Sequence, residues 1–419
     1  MFPKLLVLAA VLALAPGAIS QAAFRAGIAT KDVTPDPMLP VSGGVGPSKA
    51  ATIRHGDLTV RALVLEQDGT RVAFVSVDFL GFPKVLGDRV RALVTSIPAT
   101  NILIGATHTH SAPDCYGFPD GKGGTACDLP YLDRLVKDTA ATIQSAVDRL
   151  QSAGLRVASA EAKGKIAYNY YAPALYDPRC SVIQCVGADG KAFATLVNYA
   201  IHPEVIGNSR GICSPDLIGP LYERIAENGG GTGIFINSAQ GGMVTADNRR
   251  AGGGENSDWA ECQRIGRLLG DEALRIVSDA PVQANPPLRV YARPISFPIE
   301  SPRLLAVLKA SPLGFKTGAD GRVTTTLNVV NLGKAQIVSI PGEALPNIGY
   351  YLKRKMRGQP NLLFGLTNDS FGYILTRVDF GSFERYGYVS QVSLGEQTGE
   401  ILIDEVLKFV AEIPEPGMP

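Results

Sequence analysis

The chain has 419 residues, of which 45% are hydrophobic, so it can bury a large core. Its 40 lysines and arginines nearly balance its 39 aspartates and glutamates, and no run of like charges occurs. This balance gives no electrostatic reason to expect nucleic acid or an anionic membrane as a partner.

The amino-terminal segment predicts a secretory signal peptide over residues 1–22. Lys4 is followed by an apolar run over 5–14, and then by Pro16, Gly17 and small residues. The run is shorter than the roughly 20 apolar residues that span a bilayer, and a buried amino-terminal helix is the alternative. No later segment is long and apolar enough for a membrane helix. We therefore expect a secreted or periplasmic protein with one catalytic domain over 23–419.

Predicted strands and helices alternate along the rest of the chain. Strands at 60–67 and 71–78 flank the pair Asp68 and Gly69, which is typical of a β-hairpin turn. A strand at 101–106 precedes a helix over 131–150, which has apolar residues at helical spacing and Asp128 as its N-cap. Further strands are predicted at 193–199, 233–236, 323–330, 334–340 and 362–366, and further helices at 217–226, 261–278, 346–356 and 399–410. No internal repeat is visible. The alternation predicts an α/β fold with mixed multi-stranded sheets and flanking helices.

Six cysteines suit an oxidising compartment, because an even number can form disulfides. The candidate pairs are Cys115 with Cys127, Cys180 with Cys185, and Cys213 with Cys262. Buried free thiols are the alternative. No two cysteines have the C-x-x-C spacing, which argues against a structural zinc cluster.

The chain has only four histidines, and two of them directly follow a predicted buried strand. His108 and His110 are two residues apart, so an extended backbone places both imidazoles on the same side. Two imidazoles on one side are a common start for a zinc site, although a chance surface pair is the alternative. The pair therefore predicts a candidate metal site after the strand at 101–106.

Three further residues become candidates for the same metal site only in combination with this pair. His202 follows the strand at 193–199, where a lone histidine is more often structural than a ligand. Glu343 lies at a strand tip, and its alternative role is to stabilise the first turn of the helix at 346–356. Tyr373 follows another strand, and ordinary packing is its alternative role.

Nine short motifs occur along the chain, at 26–35, 53–65, 75–78, 106–111, 198–203, 214–216, 235–242, 341–343 and 368–373. In sequence and in order they resemble the catalytic domain of the neutral/alkaline (non-lysosomal) ceramidases. The motifs span nearly all of the predicted mature chain, which makes a chance match hard to accept.

The resemblance implies one zinc ion per chain and assigns residues to its site. The implied metal ligands are His108, His202, Glu343 and Tyr373. His110 is implied beside the metal as the acid/base or as a substrate contact. From the chemistry of such a site, we expect Tyr373 at the metal also to stabilise the oxyanion. The remaining matches are implied substrate contacts: His55, Asn237, Gly242 and Thr245.

The sequence departs from the family in three places. The family loop reads Gly-Asp-Val-Ser-Pro, whereas here Met243 stands at the aspartate position and Thr245 at the serine position. The family's arginine is replaced around residues 169–171, and a carboxyl-terminal β-sandwich domain is not expected after the helix at 399–410. These departures indicate that substrate recognition differs from that of the family.

The sequence therefore predicts a zinc-dependent amidohydrolase that cleaves an N-acyl or ceramide-like substrate with a zinc-activated water. The expected partner is a small-molecule or lipid-like amide, and no motif indicates an oligomeric state. Two alternatives remain. One is an esterase or lactonase that uses the same site. The other is a catalytically silent ligand-binding member, which Met243 and Thr245 favour and the intact ligand set opposes.

Overall fold

The structure is a computed structural model that describes residues 23–418. The predicted signal peptide at 1–22 lies outside the described residues. Within residues 23–418, no helix is both long and apolar enough to cross a membrane.

Strands and helices alternate along the described chain, as predicted. The strands of the first half are β1 (Arg25–Asp32), β2 (Val41–Ser42), β3 (Ile53–Arg54), β4 (Thr59–Gln67), β5 (Thr70–Val77), β6 (Ile102–Ala106), β7 (Ala112–Pro113), β8 (Gln151–Ser152), β9 (Gly154–Glu161), β10 (Ala167–Asn169), β11 (Arg179–Val186) and β12 (Ala192–Tyr199). Those of the second half are β13 (Ile212–Cys213), β14 (Thr232–Asn237), β15 (Val244–Ala246), β16 (Leu288–Pro298), β17 (Arg322–Leu332), β18 (Ala335–Ser339), β19 (Glu343–Ala344), β20 (Asn361–Phe364) and β21 (Tyr373–Ile374). The α-helices are α1 (Lys84–Leu93), α2 (Leu129–Asp148), α3 (Ile218–Glu227), α4 (Trp259–Val277), α5 (Pro302–Ala310), α6 (Pro346–Lys355), α7 (Gly387–Gln391) and α8 (Thr398–Glu412).

Three of the sheets share one plan. In each, three strands pair antiparallel, and a fourth joins parallel to the third after a helical crossover. The strand orders are β1-β4-β5-β6, β9-β11-β12-β14 and β16-β17-β18-β20, with β8 added at the edge of the first. The crossover helices α1, α3 and α6 are each 10 residues long. The long helices α2, α4 and α8 follow the fourth strands.

The backbone therefore repeats a β-β-β-α-β-α unit three times, a repeat that the sequence does not reveal. Different side chains satisfy the same pairing and packing pattern, so the repetition is visible only in the order and direction of the elements. We name the three units first, second and third in chain order.

The three units share one buried apolar core, to which each sheet contributes one face. Phe74 of the first sheet and Phe364 of the third meet edge to face, with ring centroids 5.2 Å apart. Ile183 of the second sheet lies in the same core. Because the sheets meet there, the loops at their strand ends lie close enough to build a common site.

Local signals placed several elements correctly. Asp68 and Gly69 both adopt left-handed backbone, with φ of 50° and 77°, as a two-residue hairpin turn between β4 and β5 requires. Asp128 accepts a hydrogen bond from the Tyr131 backbone N–H at the start of α2. The predicted α/β class with mixed sheets and flanking helices is confirmed.

The predicted disulfides are wrong, because the structure describes all six cysteines as free thiols. The pairs that it does not form are Cys115 with Cys127, Cys180 with Cys185, and Cys213 with Cys262. Cys180 and Cys185 are an odd number of residues apart on β11, so they lie on opposite faces of the sheet and in different apolar clusters. Cys213 and Cys262 also pack in different clusters. Proximity in sequence was therefore a poor guide to proximity in space.

A buried ion pair ties α6 to the segment before β11. Lys353 Nζ lies 2.9 Å from Asp177 Oδ2, and both side chains are only 3% exposed. Burial lowers the pKa of Lys353, and the Asp177 charge opposes that effect. The pair therefore matters most when Asp177 is removed, since Lys353 is then left buried without a counter-charge, whereas Asp177 also pairs with Arg179.

We expect Asp177→Asn to lower the free energy of unfolding by about 3–5 kcal/mol, the usual cost of breaking a buried pair. Urea unfolding measures this loss. Asp133→Asn is the matched control, because the ion pair of Asp133 with Arg89 is exposed on both sides and should contribute little. An equal free energy of unfolding in the two variants would show that the buried pair does not stabilise the fold.

Candidate metal centre

The four implied metal ligands come from loops at the carboxyl ends of strands in all three units. His108 follows β6 of the first unit, and His202 follows β12 of the second. Glu343 and Tyr373 follow β18 and β20 of the third unit, and they face each other in the short parallel pair β19–β21. In α/β sheets, ligands commonly bind at the carboxyl ends of parallel strands, and here four such ends from three sheets converge.

Two histidines turn the same ring nitrogen towards Glu343. His108 Nδ1 lies 2.6 Å from the Leu80 carbonyl oxygen, and His202 Nδ1 lies 2.8 Å from that of Val244. Each Nδ1 therefore carries a hydrogen, and each Nε2 is the nitrogen that can bind a metal once it holds no proton. His108 Nε2 lies 3.5 Å from Glu343 Oε2, and His202 Nε2 lies 3.1 Å from the same oxygen.

This spacing fits a tetrahedral metal ion. Zinc–ligand distances of 2.0–2.1 Å place neighbouring ligand atoms about 3.3–3.4 Å apart, and the two observed distances lie on either side of that value. Ring nitrogens of His108, His110 and His202 all lie within 4.8 Å of one another. The described residues can therefore hold one metal ion, with both imidazoles oriented by backbone carbonyls.

The electrostatics of the site also suit a cation. Burial alone would raise the pKa of Glu343, but His108 and His202 hold it well below its usual value, so the carboxylate is charged. Burial alone would lower the pKa of His202, but its hydrogen bond to Glu343 raises it to about 9. The charge on Glu343 is thus compensated by the imidazoles, a role that a metal ion takes over when bound.

His108 is held in a strained backbone conformation. Its φ of 73° lies in the left-handed region, which is uncommon for a residue other than glycine. Its backbone N–H donates to the Phe79 carbonyl at 2.9 Å, and the neighbouring Thr107 N–H donates to that of Val77. Strain that the surroundings maintain in this way is typical of functional sites, where it fixes the direction of a side chain.

Tyr373 is buried beside Glu343, and its hydroxyl donates to Met243 Sδ at 3.3 Å. Burial, followed by the Glu343 charge, raises the pKa of Tyr373 well above its usual value, so the hydroxyl keeps its proton. Met243 itself has a φ of 71°. The residue that replaces the family aspartate therefore contacts a candidate ligand directly.

Asn237, an implied substrate contact, lies behind the ligands and makes hydrogen bonds through both ends of its amide. Its Nδ2 donates to the carbonyls of Thr107 and Ile201 at 3.2 and 2.7 Å. Its Oδ1 accepts from the backbone N–H of Ile201 and of Ser238. Thr107 and Ile201 directly precede His108 and His202, so Asn237 joins the two histidine-bearing segments.

Asn237→Ala should therefore lower the free energy of unfolding by about 1–3 kcal/mol, because buried peptide groups lose their partners. It should also weaken metal binding, which isothermal titration with zinc can measure. Asn347→Ala is the control, because Asn347 bonds an aspartate at an exposed site. Unchanged stability and zinc affinity in Asn237→Ala would refute this positioning role.

The other implied substrate contacts have varied surroundings. Gly242 has a φ of 65°, and a Cβ there would lie 2.8 Å from Leu345 Cγ, so the loop requires glycine. Thr245, in β15, bridges to His202 and bonds the Glu204 carboxylate. His55 stacks on Trp259, with ring centroids 5.2 Å apart, and is not among the residues that line the cavity described below. Their roles in substrate binding stay predictions.

His110 lies beside the ligands with one nitrogen unused. Within the described part of the chain, its buried Nε2 has no hydrogen-bond partner. Its Nδ1 lies 3.4 Å from Glu204 Oε2. Burial lowers the pKa of His110 to about 3 against the opposing Glu204 charge, so its imidazole is neutral at pH 7. Sequence reasoning missed Glu204, although its place two residues after His202 was the available signal.

A cavity opens beside these residues, and together with the open space at its mouth it encloses about 770 Å³. Its polar end carries His108, His110, Glu343 and Tyr373. Its apolar wall comes chiefly from α5, the segment after that helix, the segment after α7 and the loop before α2, through Phe118, Leu304, Val307, Leu308, Phe315, Val392 and Leu394. The arrangement suits a ligand with a long apolar part and one reactive polar group.

Fold and site together define an α/β protein with a candidate metal centre at the polar end of an apolar cavity. The chain is similar to the crystal structure of the neutral ceramidase from Pseudomonas aeruginosa, with a TM-score of 0.73 and 18% identity over 95% of this chain and 76% of that one. It is similar to the structure of a ceramidase complexed with C2, with a TM-score of 0.73, 17% identity and the same coverage. The chain thus has the neutral ceramidase fold, as the motifs predicted. No protein-family model and no curated protein matches the sequence.

Proposed function

We propose that this protein is a zinc-dependent hydrolase that cleaves the amide bond of a compound with a long apolar acyl group. One observation carries the proposal. Two oriented imidazole nitrogens converge on one carboxylate oxygen at the polar end of an apolar cavity. The neutral ceramidase fold supports the same reaction class.

His108, His202 and Glu343 would hold the metal, with Tyr373 as the fourth ligand. The three strongest donors are two neutral imidazoles and a carboxylate, a set typical of catalytic zinc sites. When bound there, zinc polarises a carbonyl and lowers the pKa of a water molecule. The buried walls exclude other water, which strengthens these interactions.

His110 would move the proton. Its unpartnered Nε2 accepts a proton from the water as the water oxygen adds to the amide carbon. The same nitrogen then returns that proton to the amide nitrogen as the carbon–nitrogen bond breaks, so the products are a carboxylic acid and an amine. The Tyr373 hydroxyl, which stays protonated, would donate to the carbonyl oxygen as negative charge develops there.

The cavity favours an acyl group as its apolar occupant. Helix α5 and its neighbours supply aliphatic and aromatic side chains, and no charged side chain interrupts the part of the wall they form. The two similar structures are ceramidases by their titles. Met243 and Thr245 replace the family's loop residues, so we expect the amine half of the substrate to differ from that of ceramide. The predicted signal peptide would place the enzyme outside the cytoplasm.

A matched panel of amides and esters tests the proposal. Each pair shares one acyl chain, short or long, and zinc-loaded protein is assayed on all members. We expect hydrolysis of the amides, with kcat/KM rising with acyl length. In Leu308→Trp, which narrows the cavity, that preference should shift to short chains. Hydrolysis of esters alone would support the esterase alternative. Binding of long-chain amides without hydrolysis of any member would support the silent ligand-binding protein, which the contact of Met243 with Tyr373 favours.

A further inference from the structure

Glu204 lies against the acid/base candidate and is not among the residues that line the cavity. Its Oε2 is 3.4 Å from His110 Nδ1, and its side chain is 24% exposed. The two segments are also joined through the backbone. His110 N–H donates to the Pro203 carbonyl at 3.2 Å, and Glu204 N–H donates to that of His202 at 3.1 Å. These backbone hydrogen bonds therefore hold Glu204 and His110 next to each other.

Thr245 lies on the other side of the carboxylate. Its hydroxyl faces Glu204. Its backbone forms a parallel bridge with His202 and pairs with Tyr168 in the short sheet of β10 and β15. The Glu204 carboxylate thus lies between the Thr245 hydroxyl and the His110 imidazole.

This arrangement decides which nitrogen of His110 carries the hydrogen. A carboxylate only accepts hydrogen bonds, so it favours a hydrogen on the nearby Nδ1. Nε2 then keeps its lone pair, and that atom is buried without a partner among the described residues, in a side chain that lines the cavity. Only this tautomer can accept a proton from a molecule in the cavity, because the other tautomer would present an N–H there.

We propose that Glu204 is a positioning residue that selects the Nδ1–H tautomer of His110, with Thr245 holding its carboxylate in place. The tautomer follows from the contacts alone. The effect of Glu204 on turnover rests on the proposed hydrolase function. Removing a residue that orients a side chain of a metal site in this way typically changes activity by about 10- to 100-fold.

Histidine-selective nitrogen-15 NMR on the zinc-loaded full chain tests the tautomer directly. The protein has only four histidines, so single substitutions assign each signal. We expect His110 to be the Nδ1–H tautomer in the wild type. Glu204→Ala should shift it towards a mixture, whereas Glu204→Gln, whose amide oxygen can still accept the hydrogen, should retain the wild-type tautomer. An unchanged tautomer in Glu204→Ala would overturn the proposal.

Steady-state kinetics on the same variants test the effect of Glu204 on turnover. Glu204→Ala should lower kcat by about 10- to 100-fold with KM and zinc content unchanged, and Glu204→Gln should recover part of the loss. Glu223→Ala is the control, since Glu223 is an exposed glutamate on α3. If the fall in kcat is fully explained by a loss of zinc or of thermal stability, the positioning role is contradicted. If the wild type hydrolyses no amide, the proposed function fails, while the NMR arm still decides the role of Glu204.

Discussion

His108→Ala and His202→Ala are expected to purify without stoichiometric zinc and to show no measurable turnover. Each substitution removes one of two imidazoles whose Nε2 atoms lie 3.5 and 3.1 Å from Glu343 Oε2. The strong donors that remain are then one imidazole and one carboxylate beside the protonated Tyr373 hydroxyl, whereas catalytic zinc sites typically have three strong protein ligands. Elemental analysis measures the metal, and an amide assay measures turnover.

His55→Ala is the matched control for metal content. It also removes one histidine, but His55 stacks on Trp259 and makes no contact with the candidate ligands. We expect it to retain the zinc content of the wild type. If His108→Ala or His202→Ala kept full zinc and full activity, the assignment of the metal centre would be wrong.

His110→Ala is expected to keep its zinc and to lose turnover by a factor of about 10² to 10⁴, the usual contribution of general acid–base catalysis. The structure supports a separate role for His110, because its Nδ1 faces Glu204, its Nε2 has no partner among the described residues, and its side chain lines the cavity. Zinc content and kcat on one amide substrate are the two quantities to measure.

The same variant separates two possible ligand sets. Ring nitrogens of His108, His110 and His202 lie close enough to bind one ion together. Loss of zinc in His110→Ala would favour that three-histidine set, whereas retained zinc with normal turnover would remove His110 from the mechanism. Thermal unfolding of the variant shows whether the chain is still folded.

Much of the fold was predictable from local patterns. The turn at Asp68 and Gly69 and the cap at Asp128 each depend on a few neighbouring residues, and both were predicted correctly. The threefold repetition of units was not predictable, because it lies in strand direction and crossover order rather than in residue identity. The disulfides failed for a related reason, since the faces of β11 separate two cysteines that are close in sequence.

The candidate site was only partly predictable. Spacing indicated His108 and His110, and the family resemblance added His202, Glu343 and Tyr373. Neither could show that Asn237 holds the backbone behind the ligands instead of lining the cavity. Glu204 was also missed. A carboxylate two residues after a histidine indicates a functional role only when the fold brings His110, from another loop, into contact with it.

The most direct test of the central claim is hydrolysis of a long-chain N-acyl amide by one preparation of the protein, assayed as purified, after chelation and after reloading with zinc. We predict about one zinc per chain at the start, as a single site requires, loss of hydrolysis when the metal is removed, and recovery when zinc is returned. Undiminished hydrolysis by protein shown to be free of metal would contradict a zinc-dependent mechanism.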